Sequence, residues 1–271
     1  MKRAMLITAL VLWGLSTAAG EPSKKAKNLV PNGDFERGKG AIPESWQRPD
    51  ELTTFWVKSP GREGRAIKID TDVLASQFRE RQDEISKAEE ARKEPPPPPG
   101  RRQTKEPKYD TVAGLDGVLF ASAEIRADRR KTYKLQVDVK VEGQASPKVW
   151  VKGYAQVTSQ GKTRLREVWK RALDCEKASS EWKTFGMVFQ VNQRLRYEVE
   201  HFRIVLYPYW PPATYHFDNV HLTEVMEGET EVHESGGGSG DAERDEKSKA
   251  GPKDARSPAG KRAEKAEPPG G

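Results

Sequence analysis

An all-β fold, two antiparallel sheets packed as a sandwich with one charged helical insertion, is what this sequence predicts, and three observations predict it. Tyr133, Leu135, Val137, Val139 and Val141 alternate strictly with Lys134, Gln136, Asp138 and Lys140, the period-two pattern of a strand with one wet face. Eight or more short apolar runs are separated by turn residues, with almost no helical periodicity. Both ends of the folded region, NLVPNGDFERGKGAIPESW over 28–46 and YHFDNVHLTEV over 215–225, read as β segments that bracket one domain.

The first twenty residues come before that domain. Lys2 and Arg3 precede an apolar run over 4–15, followed by Ser16, Thr17, Ala18, Ala19 and Gly20, the pattern of a secretory signal peptide and too short for a convincing membrane span. No cysteine lies near the cleavage region, which leaves a lipoprotein anchor unsupported. The expected location is therefore secreted, periplasmic or at the cell surface, with no membrane span once the signal is removed. A polar leader occupies 21–27 and the sandwich 28–227.

In the opening stretch, Pro31-Asn32-Gly33 supplies a turn between short strands at 28–30 and around Phe35, with Leu29, Val30, Phe35 and Trp46 as apolar anchors. Strands follow in GRAIKID (64–70), VLFASAEI (118–125), the alternating run at 133–141, and 149–157. TSQG over 158–161 is turn chemistry and makes the next run, 165–169, the second arm of a hairpin. WKTFGMVFQV (182–191), FRIVLY (202–207) and 217–225 close the set.

One region breaks this rhythm. Leu74, Phe78 and Ile85 recur at helical spacing, and Arg79 with Asp83 and Glu89 with Lys93 are four apart. Five prolines at 95–99 cannot continue a helix, and the basic stretch 100–108 leads back to the sheet. The insertion, about 76–108, reads as a surface excursion covering a sheet edge, or as an arm for a protein partner.

From 228 onward Gly, Ser, Pro, Glu and Lys dominate and no large apolar residue follows Val232, so 228–271 is expected to be a disordered tail. The whole chain agrees with a partly solvated sequence: of 271 residues 35% are hydrophobic and 32% charged, with a mean hydropathy of -0.84. A net charge of +6 favours acidic partners such as an acidic or sulfated polysaccharide or an anionic cell surface. Export and the lack of a recognised motif argue against nucleic acid. Cys175 is the single cysteine, so no internal disulfide is available; His201, His216, His221 and His233 form no catalytic or zinc motif with it.

The string N-L-V-P-N-G-D-F-E-x-G with a later P-x-x-W, together with Tyr-His-Phe-Asp-Asn-Val at 215–220, resembles carbohydrate-binding modules of the xylan- and glucan-binding jelly-roll type, a galactose-binding-domain-like sandwich. In place of the turn that usually precedes the middle strand stand Asp128, Arg129 and Arg130. The resemblance implies a jelly roll, a structural calcium where the first and last strands meet, and a concave sheet face whose aromatics grip a polysaccharide. At the calcium position Glu36 and Asp218 supply carboxylates, with carbonyls around Asp34 adding oxygens.

Sugar rings stack on flat aromatic side chains. The candidates are Trp56, Trp150, Tyr154, Trp169, Tyr207, Tyr209 and Trp210, whereas Trp46 and Trp182 read as core. If Val149 and Val151 are buried, Trp150 points outward, and Tyr154, four residues on, shares that parity. The strands show mostly Lys and Arg between their apolar residues, which favours binding over a carboxylate-driven glycosidase. Three functions are therefore weighed: a secreted non-catalytic polysaccharide-binding protein, a cell-surface adaptor sandwich with a protein partner, and a small glycoside hydrolase.

Overall fold

The computed structural model describes residues 26–102, 109–192 and 194–225. The signal segment, residues 103–108 of the basic stretch and the tail expected at 228–271 lie outside the described residues. In chain order the elements are β1 (Gly38–Lys39), β2 (Ile42–Pro43), β3 (Thr54–Lys58), β4 (Arg65–Asp70), α1 (Ala75–Glu90), α2 (Val112–Leu115), β5 (Phe120–Ala121), β6 (Ile125–Arg126), β7 (Thr132–Glu142), β8 (Lys148–Ser159), β9 (Lys162–Asp174), β10 (Lys183–Gln190), β11 (His201–Tyr207) and β12 (Thr214–Glu224).

Two antiparallel sheets form a jelly-roll sandwich, one in the order β10-β7-β12-β4-β3 and the other β5-β11-β8-β9, with β6 also paired to β11. The run read as the clearest strand is β7, at the centre of the first sheet, and its Leu135, Val137, Val139 and Val141 are fully buried. Opposite them β8 and β11 contribute Val149, Val151, Phe202, Ile204 and Leu206. Along β7, β8 and β11 one side is thus buried and the other is left as an outer face.

The opening and closing segments of the sandwich meet. Leu29 N–H donates to the Leu222 carbonyl at 2.7 Å and Val220 N–H to the Gly33 carbonyl at 2.7 Å, while Asn28 Oδ1 accepts from Leu222 N–H. Phe35 and Phe217 are both buried in the same core cluster. The opening segment does this without the two short strands expected at 28–30 and Phe35. Asn32 and Phe35 adopt positive φ, and the Asn32 side chain bonds both Arg37 and the Glu44 carbonyl, so a side-chain-laced loop replaces a ladder. Trp46 is buried as expected, its indole donating to the Asn32 carbonyl.

Three other expectations need correcting. The strand read over 118–125 is split into β5 and β6, because Ala123 N–H leaves β11 to bond the Ser45 carbonyl. The β8–β9 hairpin turns at Gln160-Gly161, both at positive φ, but β9 continues to Asp174, well past Trp169. Trp182 is only half-buried and does not join the core: its indole donates to the Pro60 carbonyl and the Arg62 guanidinium stacks on it at 4.5 Å.

The insertion contains the expected helix, α1. Arg92, at positive φ, ends it with Lys93 N–H bonded to the Ala88 carbonyl, and the prolines follow. Polar side chains fix it to the body: Arg81, 2% exposed, donates to the Asp50 and Pro96 carbonyls, and fully buried Gln77 bonds the Gly100 carbonyl and Arg102 N–H. The proline run therefore returns along the helix, and Arg101 ties the return to Asp70 at 2.7 Å.

Candidate functional site

The alternation of β8 decides which rings face outward. Val149, Val151, Ala155 and Val157 are buried, so Trp150, Lys152, Tyr154 and Gln156 occupy the opposite face, and Trp150 and Tyr154 are half-exposed there. On β11, Phe202, Ile204 and Leu206 point inward, leaving His201, Arg203, Val205 and Tyr207 on the same outer face as Trp150.

Strand register turns these positions into rows across the sheet. Tyr207, Lys148 and Asp174 form one row and Ala121, Val205, Trp150 and Ala172 the next. Arg203, Lys152 and Lys170 form a third, and Arg126, His201, Tyr154 and Glu167 a fourth. Trp150 and Tyr154 thus stand two rows apart, about 13 Å along the strand.

Aromatic contact extends the platform past its edge: Trp150 lies 6.4 Å from Tyr207, which stacks on Tyr209 at 5.3 Å and 13°. A cation lies over three of these rings. Lys170 Nζ is 5.3 Å from the Trp150 ring, the Arg203 guanidinium 5.6 Å from Tyr154, and Lys148 Nζ 5.8 Å from Tyr209. Three carboxylates pair with cations of this face: Lys148 with Asp174 at 3.0 Å, Lys152 with Glu167 at 2.9 Å and Arg203 with Glu124 at 2.8 Å. The hydrogen bond to Asp174 holds the Lys148 pKa above its usual value, and burial raises that of Tyr207. Two buried atoms beside Tyr154, His201 Nδ1 and Arg203 Nε, have no hydrogen-bond partner among the described residues.

Of the ring candidates, Trp150, Tyr154, Tyr207 and Tyr209 come together here. Trp56 does not: it lies on β3 of the other sheet, its indole donating to the Phe35 carbonyl under the Arg65 guanidinium at 4.0 Å. Trp169 packs against Phe189 and Phe202, because Val168 is an extra residue in β9 that shifts its register. Trp210, 37% exposed, stacks on Tyr109 at 5.5 Å. Arg203, Lys152 and Lys170 escaped the sequence reading; the only signal was the alternation of lysine with the rings along β8, Lys148, Trp150, Lys152 and Tyr154.

Glu36 and Asp218 belong to the first sheet's side of the molecule. A Glu36 carboxylate oxygen accepts from Arg65 N–H at 2.8 Å, and Asp218 accepts from Asn219 N–H at 2.7 Å. Burial first, then repulsion from Asp138 and Glu36, pushes the Asp218 pKa up to about 7. Among the described residues no three His, Cys, Asp or Glu side chains gather as a metal site, so a calcium there would have to draw much of its shell from carbonyls. Cys175 is buried and its thiol pKa is raised by desolvation, which removes it as a nucleophile. An open groove of about 650 Å³ between β1–β2 and the Arg48–Glu94 ion pair carries no aromatic side chain.

Among the described residues no helix is long and apolar enough to cross a membrane. No protein-family model matches the chain, and no curated protein sequence does. Among solved structures it is similar to a family 16 carbohydrate-binding module (13% identity over 73% of this chain and 100% of that one, TM-score 0.41). It is also similar to the xylan-binding domain of Xyn10C from Paenibacillus barcinonensis (10%, 75% and 98%, TM-score 0.38) and to a cyclase from Fischerella sp. (13%, 72% and 95%, TM-score 0.40). Similarity at this level assigns no activity to the chain.

Proposed function

We propose that this chain is an exported, non-catalytic polysaccharide-binding protein that takes its ligand on the outer face of the β5-β11-β8-β9 sheet. The observation that carries the reading is the common face of Trp150, Tyr154 and Tyr207, a strip of half-exposed rings flanked by hydrogen-bonding side chains. Export rests on the charge, apolar run and small-residue exit of residues 1–20.

A binding role fits the carboxylates of this face better than catalysis does. Glu124, Glu167 and Asp174 are each tied to a cation, whereas a glycosidase needs one carboxyl kept protonated near neutrality beside a second. Asp218 has such a raised pKa, but it lies on the opposite sheet. The resemblance to jelly-roll modules adds a structural calcium at Glu36 and Asp218 to the proposal.

Affinity electrophoresis of the protein through gels containing a panel of plant and bacterial polysaccharides tests the reading. At least one should retard the wild type, and Trp150→Ala should abolish the retardation. New reducing ends in the same panel would replace binding with hydrolysis.

A further inference from the structure

Arg203, Lys152 and Lys170 are successive register partners, so three basic side chains stand side by side across three strands, about 4.8 Å apart. Like charges directly opposite one another destabilise a sheet. Glu124 and Glu167 neutralise two of the three; Lys170 has no ion pair among the described residues. Over the four rows, Lys148, Lys152, Lys170, Arg203 and Arg126 outnumber Glu124, Glu167 and Asp174.

The place of the row matters as much as its charge. It runs between the Trp150 row and the Tyr154 row, and its two outer members lie over those rings, Lys170 on Trp150 and Arg203 on Tyr154. A neutral sugar stacking on either ring must displace a cation and offers no counter-charge in return. An acidic sugar replaces the cation–π contact with a charge-assisted hydrogen bond while its C–H face takes the ring.

We propose that the ligand of this face is an anionic polysaccharide, whose carboxylate or sulfate groups seat on the Arg203–Lys152–Lys170 row between Trp150 and Tyr154. This rests on the reading of the face as a glycan platform, and it adds the chemical class of the ligand. Lys170 supplies the uncompensated charge; Arg203 and Lys152 share theirs between the ligand and their own carboxylates.

The test compares matched polymers that differ only in charge: polygalacturonate with its methyl-esterified form, and dextran sulfate with dextran. Each is run in affinity electrophoresis with the full chain, at roughly 50 and 300 mM salt. At least one anionic member should bind about tenfold more tightly than its neutral partner, the scale of one hydrogen bond to a charged group. High salt should reduce that advantage. Lys170→Gln, an exposed position where folding is not at stake, should remove most of it.

Equal binding of both members of each pair overturns the charge assignment and leaves the glycan platform standing. Anionic binding that survives both Lys170→Gln and Trp150→Ala places the polymer elsewhere and also overturns it. If no member of either pair binds, the anionic ligand is lost; the platform falls with it only if the wider panel is negative too.

Discussion

Asp138 and Asp218 face each other directly across the β7–β12 ladder, and only one of them is compensated. Asp138 accepts from Arg62, Thr184 and the Asn219 side chain, which keeps its pKa below the ordinary value despite burial. Asp218 has the Asn219 backbone N–H and little else, and its pKa rises to about 7 against 3.8 for a free side chain. The folded state therefore holds this proton more tightly than the unfolded one. Stability from this group is full below pH 4, is lost as pH rises toward 7, and is flat above.

Asp218→Asn keeps an oxygen for Asn219 N–H and removes the charge. Urea unfolding should show it more stable than the wild type by on the order of 1–2 kcal/mol at pH 8. The two proteins should converge near pH 4. A difference that stays constant from pH 4 to 8 would remove the raised pKa as its cause.

Calcium offers a second way to relieve the same charge. With Glu36 and Asp218 as two of its oxygens, calcium should raise the thermal midpoint near pH 7.5 and a chelator should lower it. Asp218→Asn should abolish that response. A melt unchanged by both additions rules the ion out.

The insertion belongs to the body through Arg81 and Gln77. Arg81→Ala removes the donor shared by the Asp50 and Pro96 carbonyls. It should cost about 2–3 kcal/mol, as expected for hydrogen bonds from a buried charged group. Protease cleavage should appear within 92–102 in the variant before the sandwich itself is cut. If the variant resists cleavage as the wild type does, the proline run is held by something other than Arg81.

The strands were legible because a sandwich leaves a period-two trace wherever one face is buried, as at Leu135, Val137 and Val139. The parity of Val149 and Val151 likewise gave the outward direction of Trp150. Register was not legible, since pairing across strands distant in sequence leaves no local mark. The cationic row was hidden because Arg203 meets Lys152 across strands distant in sequence and Lys152 meets Lys170 in a hairpin whose register is shifted by one extra residue in β9. The same limit misplaced Trp169, whose direction depends on one extra residue in β9, and Trp182, whose indole is held by Pro60 and Arg62. An apolar stripe was sought on α1, but two of its buried anchors are polar, which hydrophobic periodicity does not register.

The indole N–H groups separate the platform from the rest of the molecule. Those of Trp46, Trp56 and Trp182 donate to the carbonyls of Asn32, Phe35 and Pro60. Titrating 15N-labelled protein with oligosaccharides of the polymer that retards it should shift the Trp150 indole resonance in proportion to occupancy and leave those three in place. Saturation with the Trp150 signal unmoved, or with the Trp56 or Trp182 signal moving instead, would contradict ligand binding on the β5-β11-β8-β9 face.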